Sequence, residues 1–321
     1  MQEIDPIQAQ AYLDELDKKH GKNTIVELPE KPIDPPVQPK PTVSQANELG
    51  WKNIPLQILP TKGKFYLEGF ELAIRSATVA EVRHWSTIDE NDMLSVDDQL
   101  NYILERCARV RIGGEDFSWR EILEADRFFI IMKIQEFTFP NGENTLPHKF
   151  ECTCEDPGYS ELLPIQSGML TDFDLPLELD EFYSKEERCY IVNSEKLNTK
   201  FKLYLPTLGA INKLRDIIVS QREKGENIDP TFIKVVPYLI GNWESLSTEI
   251  FLMLNDEMLN WHINKFTFIV KFAEAIQQAK RQVLKATCPL CNNKIDSRIF
   301  LDSSFTVKDL FLIPNGFGQL V

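Results

Sequence analysis

The stretch Ala286-Thr287-Cys288-Pro289-Leu290-Cys291-Asn292-Asn293-Lys294 decides how the chain is read, together with the distant Cys152-Thr153-Cys154. Two residues between the thiols of Cys288 and Cys291 let both sulfurs face one ion from a tight turn. Pro289 bends such a turn, and Asn292 or Asn293 tolerates the left-handed backbone that it needs. The Cys-x-Cys spacing crowds its sulfurs and is the less usual half of a zinc ribbon. Together Cys152, Cys154, Cys288 and Cys291 supply four thiolates, enough for one closed, structural zinc site per chain. Such a site clips two distant parts of the chain together and leaves no open position for chemistry, so its expected role is in folding. Spacing alone leaves two other readings open: unliganded reduced thiols, and a disulfide or redox pair. His148 is a substitute ligand if one member of the first pair points away. Cys107 and Cys189, the remaining two of six cysteines, read as small buried hydrophobes.

Around these pairs the composition is that of a globular chain. The 321 residues are 43% hydrophobic and include 20 Phe, ample for a real core. The net charge of −14 comes from 35 basic against 49 acidic residues, with no long basic run. A nucleic-acid surface needs clustered Lys and Arg, so nucleic acid is not an expected partner. No apolar stretch reaches membrane-spanning length without charges, and Met1-Gln2-Glu3-Ile4-Asp5 has no charged-then-apolar leader. No membrane insertion is expected, and the place of synthesis and folding is expected to be a reducing cytoplasm.

Working outward from the cysteines, the pattern predicts an α+β, helix-rich fold with short antiparallel hairpins, a zinc-ribbon-like element and an extended N-terminal arm. Residues 1–45 form the arm: a short helix opened by Asp5-Pro6 and stopped at Gly21, then a leash carrying Pro29, Pro32, Pro35, Pro36, Pro39 and Pro41. It reads as a docking peptide for another subunit, or as a tail without a partner. Residues 46–186 form a first α+β segment. Phe70, Leu72 and Ile74 alternate as in a strand, Thr78 and Glu81 make a capping box, and helices are expected over 97–110 and 119–136. An Asn141-Gly142 turn and short strands around the first cysteine pair follow. Residues 187–321 form a second segment, with a hairpin over 189–205, a helix opened by Pro206-Thr207, and a long helix from about 256 to 285. The CxxC turn and C-terminal strands over 299–313 close it. Strands, helices and a cysteine turn thus occur twice, a pattern compatible with duplication.

Catalytic patterns are missing. There is no phosphate loop, no GxSxG elbow and no HExxH, and Lys62-Gly63-Lys64 has too few glycines to cradle phosphate. His262 reads as a packed residue of an apolar helix. Trp243, Trp261 and Phe266 read as core residues in helical segments, and Asp97-Asp98 as helix-start or solvated charges. No enzyme activity is expected.

Leu59-Pro60-Thr61-Lys62-Gly63-Lys64-Phe65-Tyr66, followed by Leu72-Ala73-Ile74-Arg75 and Thr78-Val79-Ala80-Glu81, resembles the opening of a phage family: the baseplate hub subunits of T-even-type contractile tails. Further stations similar to that family are Ile103-Leu104-Glu105-Arg106-Cys107, Asp126-Arg127-Phe128-Phe129-Ile130-Ile131, Phe150-Glu151-Cys152, Leu205-Pro206-Thr207-Leu208-Gly209 and the Cys288–Cys291 turn. They cover about residues 55–321. Ser76-Ala77 replaces a usual Pro, Glu81-Val82 an acidic pair, and Cys152-Thr153-Cys154 a CxxC. The resemblance implies a structural subunit of the virion tail baseplate, assembled in the host cytoplasm. Its implied partners are other tail and baseplate proteins, among them the tape-measure or hub proteins, in a symmetric assembly of several copies. The alternative is a tail assembly chaperone or catalyst that leaves before the virion matures.

Overall fold

The structure, a computed structural model, describes residues 50–85, 93–140, 147–154, 158–170, 173, 175–194, 199–226, 228–279 and 283–298. The arm over 1–45, the Asn141-Gly142 turn and the strands expected over 299–313 lie outside them. The fold is α+β and rich in helix, with small antiparallel sheets and a cluster of four cysteines.

Alternation in Phe70-Glu71-Leu72-Ala73-Ile74 produces β2 (Phe70–Ile74), which buries Phe70, Leu72 and Ile74 and turns Glu71 to solvent. It pairs with β1 (Lys52–Ile54) on one side. The capping box forms as the sequence predicts and opens α1 (Val79–Trp85). The Thr78 N–H donates to Glu81 Oε2 at 2.8 Å, and the Glu81 N–H reaches Thr78 Oγ1 at 3.4 Å. Arg75 grips the same carboxylate with both terminal nitrogens, at 2.9 and 2.7 Å.

Three expected helices are corrected. The first is α2 (Met93–Cys107), which stops short of residue 110 because Ala108–Ile112 is strand β3. Ala108 and Val110 are buried while Arg111 is exposed, so a period of two overrides the helical period there. β3 lies antiparallel to β2, with Ile112 opposite Phe70. Gly113 and Gly114, both at positive φ, turn it into β4 (Glu115–Phe117), completing the sheet β1-β2-β3-β4.

The second correction concerns 119–136. Trp119–Glu121 and Glu124–Asp126 are single 3₁₀ turns, and the helix α3 (Arg127–Thr138) begins only after them. The intervening Ile122 and Leu123 are extended because they serve the second half of the chain. The Leu208 N–H donates to the Ile122 carbonyl at 2.8 Å, and the Glu124 N–H to the Pro206 carbonyl at 3.0 Å.

The cysteine-bearing ribbon β5 (Pro147–Cys152) and β6 (Tyr159–Pro164) follows. A three-stranded sheet, β7 (Tyr183–Ser184), β8 (Cys189–Ser194) and β9 (Thr199–Leu203), contains the expected hairpin. Thr207 caps α4 (Leu208–Glu223), its hydroxyl accepting from the Ala210 N–H. After α5 (Pro230–Val235) comes the third correction. The long helix of 256–285 is three elements: α6 (Thr248–Leu259), α7 (Ile263–Ala279) and strand β10 (Val283–Thr287). The break has a local cause. Asn260 Nδ2 donates to the Asp256 carbonyl, and His262 Nδ1 accepts from the Asn264 N–H, so both side chains compete for backbone groups. His262 is therefore an exposed residue of the break rather than a packed helical one. Trp261 lies in the break and Trp243 in the loop before α6, both packed against the core. β11 (Lys294–Arg298) pairs with β10 as a second ribbon.

One hydrophobic core extends from Ile54 to Ile276 and is shared by residues on both sides of 186/187. Trp85, Tyr190, Tyr238, Phe232, Phe251 and Phe272 are fully buried in it, each contributing about 1.5–3 kcal/mol by leaving water. Cys107 is buried with them, and Cys189 is buried too, as expected. Asp97 is less solvated than a helix-start charge would be: it bridges Arg127 and Arg215, at 2.5 and 2.8 Å. No helix among the described residues is long and apolar enough to cross a membrane.

Candidate metal centre

The second cysteine pair is built by a turn that its sequence dictates. β10 delivers Cys288 at its end, Pro289 bends the chain, and Asn292 takes the left-handed conformation at φ 57°. The turn is closed by two backbone hydrogen bonds of 2.9 Å, from Asn292 N–H to the Cys288 carbonyl and from Cys288 N–H to the Asn293 carbonyl. The first pair is built by a strand. Cys152 is the last residue of β5, opposite Tyr159. Two residues along an extended chain return to the same face, so a Cys-x-Cys spacing carries both sulfurs to one side.

The ribbons bring all four Sγ atoms within 4.8 Å of one another. Cys152 Sγ lies 3.7 Å from Cys291 Sγ, and Cys154 Sγ lies 3.7 Å from Cys288 Sγ. These separations are far longer than a disulfide of about 2.05 Å. They match the edge of about 3.8 Å that a thiolate tetrahedron with metal–sulfur bonds of about 2.3 Å requires. All four expected ligands thus converge on one site, each pair contributing across to the other. Cys288 is buried, Cys152 and Cys291 are half-buried, and Cys154 is exposed. The side chain of His148, the substitute ligand, lies outside what the structure describes.

Electrostatics fit a cation. Burial pushes the Cys288 thiol up. The backbone N–H groups of Cys291 and Leu290, with the thiols of Cys291 and Cys154, outweigh it and bring Cys288 down to about 7. The Cys154 thiol moves the other way, raised first by its hydrogen bond with Cys291. One thiolate therefore forms readily, and its proximity opposes the next; ionisation of all four thiols this close together would need a positive ion among them. A metal held by all four sulfurs would have no position left for substrate or water.

Beneath the sulfurs is a small core of its own: Met132 from α3, with Phe150, Ile165, Leu284, Cys288 and Ile295. Leu170, bridged to Leu284, and Phe128 connect it to the main core.

A second constellation escaped sequence reasoning. The buried Asp126 carboxylate accepts from the Thr61 N–H at 3.0 Å, from Thr61 Oγ1 at 2.6 Å and from Tyr66 Oη at 2.9 Å. Tyr66 Oη in turn accepts from the Leu123 N–H at 3.2 Å. Burial raises Asp126 from 3.8 to about 6, against the lowering effect of these three hydrogen bonds. The bonds hold the turn Thr61–Lys64, whose Lys62 and Gly63 are both left-handed, against the start of α3. No spacing rule links residues so far apart in sequence; the one available signal was an aspartate leading an apolar helix.

No family model, no curated protein and no solved structure matches the chain.

Proposed function

We propose that the protein is a structural subunit of the contractile-tail baseplate or hub of a T-even-type bacteriophage, with one structural zinc per chain. The observation that carries this reading is where the motif residues point. Thr61 and Tyr66 both donate to Asp126. Arg75 and Thr78 both donate to Glu81, with Cys107 Sγ 3.9 Å from Glu81 Oε2. The stations on which the phage resemblance rests are thus used to tie segments of the chain together. Residues committed to internal bonds support a scaffold better than a catalyst, whose key groups must face a substrate.

The zinc follows from the donor set. Four thiolates in a tetrahedron suit zinc or iron, and a closed site in a part of the fold with little core of its own suits the redox-silent ion that contributes folding energy outright. The partners are other tail and baseplate proteins, including the hub or tape-measure proteins. The place of work is the virion tail, assembled in the host cytoplasm in several symmetric copies.

Quantitative protein analysis of purified virions tests the reading, with a fixed copy number expected. Presence in infected-cell lysate and absence from virions would overturn it in favour of an assembly chaperone or catalyst. Metal analysis of freshly reduced protein is expected to return one zinc per chain. Iron, or clearly less than one equivalent of metal, would remove the zinc assignment.

A further inference from the structure

The four cysteines can join the two ribbons in a second way, without a metal. Cys152 Sγ lies 3.7 Å from Cys291 Sγ, and Cys154 Sγ lies 3.7 Å from Cys288 Sγ. These two contacts share no sulfur, and each runs from one ribbon to the other. A closure of about 1.7 Å in each brings the sulfurs to disulfide length. Four thiols pair in three ways, and strand geometry disfavours the one that keeps each link inside its own pair. That arrangement bonds Cys152 to Cys154, whose Cα atoms stand two extended residues apart, about 6.6 Å. Such a separation is near the upper limit for a disulfide. The 3.7 Å contacts match one of the other two, Cys152–Cys291 with Cys154–Cys288.

An oxidant has access to this cluster and not to the other thiols. Cys154 is exposed and Cys152 and Cys291 are half-buried, whereas Cys107 and Cys189 are buried. Each crosswise contact therefore has a sulfur that solvent reaches. In the Cys154–Cys288 contact an open sulfur faces a covered one, the arrangement of an attacking and a resolving thiol.

We propose that a peroxide exchanges the metal clasp for a covalent one of the same connectivity, with disulfides Cys152–Cys291 and Cys154–Cys288 forming as zinc leaves. In each pair one thiolate attacks a peroxide oxygen. The S–O bond forms, the O–O bond breaks, and the departing hydroxide takes a proton to become water. The partner thiolate then attacks the sulfenic sulfur. The S–S bond forms, the S–O bond breaks, and a second hydroxide leaves as water. Two sulfurs lose two electrons and the peroxide gains them, so each chain consumes two peroxides and four protons. Disulfide sulfurs carry no negative charge to hold a cation, and zinc departs as the divalent ion. The links close loops of 134 and 139 residues, long enough to restrict the unfolded chain strongly, so the ribbons stay joined. The timing rests on the baseplate reading; the pairing does not. A host cytoplasm keeps thiols reduced, while virion surfaces are among the places where disulfides persist. Assembly uses the metal clasp, and the released particle the covalent one.

Treating the full, metal-loaded chain with two equivalents of hydrogen peroxide tests the exchange. Zinc is expected to appear in solution, and free thiols to fall from the six of the sequence to two, Cys107 and Cys189. Peptide mapping without reductant is expected to find Cys152–Cys291 and Cys154–Cys288. Hydrogen exchange over 147–170 and 283–298 is expected to stay slow in the oxidised, zinc-free chain and to become fast in reduced, chelated chain. A disulfide inside either pair, sulfinic or sulfonic acids without disulfides, unchanged thiols, or loss of ribbon protection on oxidation would each overturn the proposal. Metal analysis before the peroxide separates the readings. A chain isolated without metal removes the zinc assignment, and the same peroxide map still decides the pairing. If virions lack the protein, the baseplate reading and the timing fall while a crosswise map keeps the covalent clasp.

Discussion

Two clasps hold distant parts of this chain together, and they work by different physics. Asp126 reaches back 65 residues to Thr61 with hydrogen bonds alone, inside a core that runs through most of the fold. The cysteines span 134 and 139 residues above a small cluster in which, among the described residues, five other side chains are buried. Where the core is large, hydrophobic burial already stabilises the fold, and a polar clasp selects one geometry for a turn. Where two ribbons share a handful of buried residues, burial is too small to offset the entropy of ordering four strands. A metal is the usual remedy for a core of that size. The contrast predicts that the two regions fail separately.

The largest effect is expected from removing the metal ligands. Structural zinc sites contribute on the order of 10 kcal/mol of binding free energy to folding. Cys288→Ser, or strong chelation, should therefore unfold the ribbons while α4 and α7 persist. Hydrogen exchange read by mass spectrometry should show protection lost over 147–170 and 283–298 and kept over 208–223. Loss of protection everywhere at once would break the comparison, since it would make the two cores one cooperative unit.

Next in size come two substitutions that delete the same atoms from the two cores. Phe150→Ala and Phe251→Ala each empty a fully buried site and should cost about 3–5 kcal/mol. The first should appear as weaker metal retention and faster exchange in the ribbons. The second should lower the main unfolding transition in urea. Equal effects of both on that main transition would show that α3, through Met132, couples the cores more tightly than their sizes imply.

A smaller effect, of opposite sense to common acid denaturation, is expected at Asp126. Burial lifts its carboxyl from 3.8 to about 6, so the folded state binds its proton more readily than the unfolded state does. Its stabilising contribution is full below about pH 4 and is lost as the pH rises through about 6. Asp126→Asn cannot titrate. Relative to that variant, the wild type should gain about 2 kcal/mol between pH 7 and pH 4.5, measured as paired urea unfolding curves. A gap that does not change with pH would mean that the three hydrogen bonds cancel the effect of burial.

How much of this could be read beforehand depended on whether the cause was local. The Cys288–Cys291 turn was legible because its ligand spacing is set within a few residues: Pro289 and Asn292 do what those residue types do. The capping box at Thr78 and the cap at Thr207 were legible for the same reason. Helix ends were not. Ala108–Ile112 leaves the helix to pair with β2, Ile122 and Leu123 are drawn out by Pro206 and Leu208, and Asn260 and His262 break a periodicity that is otherwise continuous. In the first two cases a partner elsewhere in the fold overrides a local pattern, and in the third two side chains compete with the helix for its own backbone. The Asp126 clasp was invisible because its partners are fixed only once the sheet and α3 are packed.

The smallest effects lie in the two turns that carry the clasps, and they sharpen the comparison most finely. Lys62 and Asn292 share one backbone conformation, at φ 53° and 57°, but differ in their tolerance of it. A left-handed residue with a Cβ is strained by about 1–2 kcal/mol, and asparagine lowers that strain by bonding its own backbone. Lysine has no such means, so Lys62 is held by its neighbours: Lys62 N–H donates to the Leu59 carbonyl at 2.8 Å, and Lys64 N–H to the Thr61 carbonyl at 3.1 Å. Lys62→Gly removes the strain but makes the unfolded chain more flexible. A net gain of about 0.5 kcal/mol is expected in urea unfolding, because relief of strain exceeds the entropic loss. Asn292→Gly should change ribbon stability by less, since there is less strain to relieve. If Asn292→Gly were the more stabilising of the two, the metal turn would be the strained clasp, and the hydrogen-bonded turn at Asp126 the relaxed one.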